Sequence, residues 1–114
     1  MDDTAIIFLV FTICGVSEII QGLPLMFEKI KPNWLYGFRL PGIVENKEVW
    51  YPVNKYLGKG LVVIGSMLVV ITLFLFMVEL GLSFFEKTLV LLFTLIIPLV
   101  IVMIGSFNYY RELS

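Results

Sequence analysis

The sequence predicts an all-α fold: a three-helix transmembrane bundle, with a short interfacial helix in the connection between helices 1 and 2. Three observations predict it. The chain is 60% hydrophobic and 15% charged, with a mean hydropathy of +1.00, whereas soluble domains run near 45–50% apolar and about 25% charged. Its apolar residues gather into three long runs, at 5–27, 57–78 and 88–109. Each run is close to the roughly 20 residues that cross about 30 Å of hydrocarbon.

The elements follow in chain order, as one membrane domain over 1–114. The first run holds Glu18 and Gln21 inside it and Pro24 near its end. Its N-terminal flank is acidic, with Asp2 and Asp3, whereas a secretory signal peptide carries a basic one. A permanent helix is therefore expected. The second run contains "LVVIGSMLVVIT", rich in β-branched residues, a strand signal in water. Its length without turn residues makes it a helix, because lipid leaves each backbone N–H and C=O to be satisfied within the segment. The third run has Pro98 near its middle. Thr94, four residues earlier, stands where proline frees a carbonyl.

Orientation follows from the basic residues near the helix ends. Lys29, Lys31, Arg39, Lys47 and Lys55 lie in the connection 28–56, with Lys59 just beyond and Arg111 in the C-terminal tail. The second connection has Lys87 alone. A multi-pass cell-membrane protein is expected, its N-terminus outside and its C-terminus and loop 28–56 cytoplasmic. Trp34, Tyr36, Trp50, Tyr51, Tyr56, Tyr109 and Tyr110 gather at the loop side, where aromatic belts form.

Composition excludes several functions. A net charge of −1 gives no footprint for nucleic acid. The chain has no histidine, the commonest general base and metal ligand. It shows neither an acidic pair within a span nor a phosphate-binding loop, so no cofactor, metal or catalytic residue is expected. Cys14 is the single cysteine, so no intrachain disulfide forms.

Residues 32–54, "PNWLYGFRLPGIVENKEVWYPVN", spend more polar and aromatic chemistry than anchoring needs. Asn46 suits the N-cap of a short helix. Trp50 and Asn54 then share one face at i, i+4, and Pro52 limits how far the helix reaches upstream. Trp50 is expected to pack this helix on the bundle, and Asn54 to hold the loop near Gly37.

The stretch resembles the signature loop of the SdpI family, membrane proteins named after the immunity protein for a sporulation-delaying toxin. The residues that carry the resemblance are Asn33, Tyr36, Gly37, Arg39, Pro41, Glu48, Trp50, Asn54 and Gly58. Leu40 and Ile43 stand where the family often has threonine, so a hydroxyl role is not implied here. The resemblance implies immunity against a membrane-active peptide toxin, or a sensor role, with the signature residues as a ligand or partner site. The second expectation is a structural or accessory subunit of a larger membrane assembly. The lipid bilayer, a peptide toxin, a partner membrane protein and a second copy of the chain are the expected partners.

Glu18 is the sharpest single signal outside the loop. An ionised side chain facing lipid costs at least about 2.5 kcal/mol, so Glu18 should face the bundle or a ligand. Phe11, Gly15, Glu18 and Gly22 form one stripe, whose glycines admit another helix. Ser66, Thr72, Thr94 and Arg39 are its expected partners. Arg39 has three other outlets: a lipid phosphate, Glu45 or Glu48. Gly65, Ser66, Gly105 and Ser106 read as small residues for close helix contact.

Overall fold

The computed structural model describes residues 2–113 as four helices. Helix α1 spans Asp3–Met26, α2 Pro41–Val44, α3 Lys47–Met77 and α4 Phe84–Leu113. Three of them are long and apolar enough to cross a membrane. All three outlast the apolar runs. Helix α3, at 31 residues, is about 46 Å long, so its first turns rise out of about 30 Å of hydrocarbon.

The helix ends are set by local chemistry. The Asp2 carboxylate accepts the Ala5 N–H at 2.8 Å and starts α1 two residues before the apolar run. Helix α1 stops in a Schellman turn, where the Lys29 N–H donates to the Pro24 carbonyl and the Glu28 N–H to that of Leu25. Glu28 takes the left-handed position there at φ 58°. Asn46 caps α3 by accepting the Glu48 N–H at 3.0 Å. That turn runs unbroken into the second span, and the separate short helix is α2, just upstream. Proline opens α2 at its first position, where no N–H is needed. Ser83 and Glu86 form a reciprocal capping box at the start of α4, with both bonds at 3.1 Å.

Helix α3 is the centre of the bundle. It packs along α1 and α4, which barely touch each other. Glycines set the α1–α3 approach. A methyl group built on Gly15 would lie 2.9 Å from the Gly65 carbonyl oxygen, and one on Gly58 2.6 Å from that of Gly22. Phe11, Gly15 and Gly22 of the expected stripe are buried in this seam. Helix α4 meets α3 through Gly60 against Val102 and Gly105 against the Tyr56 ring. Ser66, expected at a helix contact, is exposed instead.

Two apolar clusters sit at opposite ends. Phe8, Phe11, Leu68, Leu75 and Leu91 pack where α1, α3 and α4 converge near the short connection. Ile43, Val49, Trp50 and Val53 pack at the loop end, with Ile30, Phe38 and Tyr110 around them.

Candidate functional site: the capped end

Residues 27–46 fold as a cap over the loop end of the bundle, and side-chain to backbone bonds hold it. Asn33 starts the fold. Its carboxamide oxygen accepts the N–H groups of Leu35 at 2.8 Å and Tyr36 at 2.7 Å, while its amide donates to the Lys31 carbonyl at 2.7 Å. This is an Asx turn closed at both ends. It aims Tyr36 back at α1, where its hydroxyl donates to the Gln21 carbonyl. Burial pushes the Tyr36 phenol above its ordinary value.

Gly37 then takes φ 102°, a conformation that a side chain disfavours. Space forbids one as well. A methyl group there would lie 2.5 Å from the Asn54 Oδ1 and 3.2 Å from the Trp50 ring. This close approach lets the next N–H, of Phe38, donate to the Asn54 Oδ1 at 2.6 Å. The Asn54 amide donates in turn to the Trp50 carbonyl at 3.1 Å. Trp50 has no exposed surface. Its indole N–H donates to the Ile30 carbonyl at 2.8 Å. The two residues of α3 thus clasp the loop at both ends, Ile30 on one side and Phe38 on the other. Trp50 fills the cap core rather than a headgroup belt, while Trp34 stays exposed.

Pro41 opens α2, which drops Ile43 into the core with no exposed surface. Gly42 faces the Tyr110 hydroxyl, which a side chain there would have to displace. That contact joins the cap to the end of α4.

Arg39 is exposed at the rim. Its Nη1–H donates to the Trp34 carbonyl at 3.1 Å. Among the described residues it forms no bond to Glu45, Glu48 or Glu18. Beside it lies a groove of about 310 Å³, lined by Gly37, Phe38, Arg39, Leu40, Leu57 and Met103.

Glu18 stands apart from the cap. Its Cβ faces Gly65 across the α1–α3 seam, and its Oε2 is buried without a hydrogen-bond partner among the described residues. Three of the four expected partners, Arg39, Thr72 and Thr94, bond elsewhere. The Thr72 hydroxyl donates to the Leu68 carbonyl at 2.6 Å, and the Thr94 hydroxyl to that of Val90 at 2.8 Å. Both bonds turn back within their own helix, the local alternative always open to threonine. Gln21 bonds the Ser17 hydroxyl at 2.8 Å.

Of the residues singled out from the sequence, the fold brings together Asn33, Tyr36, Gly37, Pro41, Trp50 and Asn54, places Arg39 at their rim and leaves Glu18 apart. Sequence reasoning missed Ile30, Ile43 and Tyr110. Ile30 acts through a carbonyl that any residue carries, so its side chain gives no signal.

The model of the SdpI/YfhL protein family matches residues 29–107, more than half of the chain. The chain belongs to the SdpI/YfhL family. No curated protein and no solved structure matches it. The matched range begins just after α1 and takes in the cap, α3 and most of α4. The SdpI/YfhL match therefore contains the clasp formed by Trp50 and Asn54, and Glu18 lies outside it.

Proposed function

We propose that this SdpI/YfhL-family membrane protein is an immunity or sensor protein for a membrane-active peptide, acting by binding rather than by catalysis. The observation that supports this reading is the closed cap. Asn33, Tyr36, Trp50 and Asn54 are engaged in holding its backbone, and Lys29, Lys31 and Arg39 are presented outward on its surface. Such a surface suits recognition. In the bilayer, the buried and unpartnered Glu18 oxygen supplies a polar point for a peptide that inserts beside α1.

In this reading the cap is cytoplasmic. Lys29, Lys31, Arg39, Lys47, Lys55, Lys59 and Arg111 belong to the capped end, against Lys87 at the other, and basic residues favour the inner side. An Asp2→Cys variant should react with an impermeant thiol reagent added outside intact cells, once Cys14 is replaced by serine. Reaction from the cytoplasmic side alone would reverse the orientation.

Deleting the gene should sensitise the host to such a peptide, and Glu18→Gln should lose most of the protection while the protein still folds. Full protection by a folded Glu18→Gln protein would remove Glu18 from the site. A second reading, an accessory subunit or a homo-oligomer, has its own support. Only 6% of the most apolar window of α4 is buried, against 28% for α3. Stoichiometric copurification with a larger complex from native membranes would favour that reading over immunity.

A further inference from the structure

The groove beside Arg39 combines three features. The first is a guanidinium held in place. The Asx turn at Asn33 fixes the backbone that ends in the Trp34 carbonyl, and that carbonyl takes one Arg39 N–H. Arginine carries five N–H donors, so most remain for an outside acceptor. The second is an apolar wall. Phe38, Leu40 and Leu57 run from the rim to Met103 on α4, which is 44% exposed. The third is position. Trp34, 54% exposed, stands beside the guanidinium, and exposed tryptophans sit at headgroup level. A guanidinium above an apolar wall at that level matches a phosphate that carries a hydrocarbon chain.

We propose that this groove holds an anionic phospholipid of the surrounding bilayer, its phosphate on the Arg39 guanidinium and an acyl chain along Leu57 and Met103. The inference is independent of the immunity reading. Size favours this occupant over a peptide helix. A helix about 10 Å across fills the groove's volume in about 4 Å of its length, less than one turn. Charge favours it too, because the groove lining contains one cation and no carboxylate. The site also gives the cap a reason to be rigid. A fork that binds phosphate through two N–H groups gains from being held in place before the lipid arrives.

Native mass spectrometry of the full-length protein in detergent tests this. The probes are phosphatidylglycerol and phosphatidylcholine with identical acyl chains. The wild type should retain one phosphatidylglycerol in preference to phosphatidylcholine. Arg39→Gln should lower that retention about tenfold, as loss of a charge-assisted bond does. Arg39→Lys should keep part of it, since lysine attracts phosphate as a point charge without the fork. Met103→Trp should fill the wall and lower retention with Arg39 intact. Both sites are exposed, so the variants should keep wild-type helical circular dichroism. Equal retention of the two lipids, or unchanged retention in Arg39→Gln, would overturn the proposal. Displacement of the lipid by inorganic phosphate would overturn it as well, because the acyl chain would then contribute nothing.

Discussion

The two connections between the spanning helices solve the same problem in opposite ways. Residues 27–46 are tied to the bundle by bonds that cross long stretches of sequence, from Trp50 to Ile30, Phe38 to Asn54 and Tyr36 to Gln21. Residues 78–83 are held by local bonds, in which the Glu79 carboxylate accepts the Gly81 N–H at 2.9 Å and Ser83 pairs with Glu86. The contrast shows most clearly at two glycines. Gly37 and Gly81 both have left-handed backbones, at φ 102° and φ 74°. Gly81 has open space around it, whereas Gly37 is pressed against Asn54 and Trp50. One glycine serves a turn; the other serves a turn and a seam. Reversing direction needs only the first kind, so the second indicates a connection built to hold a shape.

The largest expected effect comes from the core of the cap. Trp50→Ala should destabilise the protein by about 3–5 kcal/mol, the usual cost of emptying a buried aromatic site. Unfolding in denaturant would measure it, and limited proteolysis should then cut within 31–46. A loss below about 1 kcal/mol would mean that the cap contributes little to the fold.

Next comes the glycine pair. Gly81→Ala should cost about 1–2 kcal/mol for its backbone alone. Gly37→Ala should cost about 1–3 kcal/mol more, because the added methyl group must displace the clasp. Equal losses would erase the distinction between the two connections.

Asn54→Ala should cost about 1–3 kcal/mol, since it leaves the Phe38 N–H without an acceptor. Its counterpart at the other end, Ser83→Ala, should cost about 1 kcal/mol and fray only the first turn of α4. Helix-resolved hydrogen exchange would separate these two outcomes.

The smallest effect concerns pH. Burial raises the Tyr36 phenol above its ordinary value, so the folded cap favours the neutral phenol. The resulting stability is complete below the unfolded-state pKa of about 10 and is lost as pH rises through the folded value. Tyr36→Phe should flatten this alkaline loss in an unfolding titration.

How far the sequence could be read also divides along the two connections. Features that depend on neighbours in the chain were readable. The Asn46 cap, the Trp50–Asn54 face and the Gly15–Gly22 stripe all follow from short spacings. Features that depend on distant backbone were not. No residue type marks the Ile30 carbonyl as the Trp50 acceptor, and Gly42 gives no sign that Tyr110 will cover it. Glu28 ends α1 in a left-handed turn where glycine would have signalled it. For Glu18, spacing placed it correctly at a helix seam. Its hydroxyl partners were misjudged, because a threonine bond to its own helix leaves no trace in spacing.

Hydrogen exchange of the protein in lipid nanodiscs tests the folded cap most directly. The Phe38 amide should exchange far more slowly than the Gly81 amide, and Asn54→Ala should abolish most of that protection. If residues 31–46 exchange as fast as 78–82 in the wild type, the connection is not a clasped cap, and the roles given to Trp50, Asn54 and Arg39 fall with it.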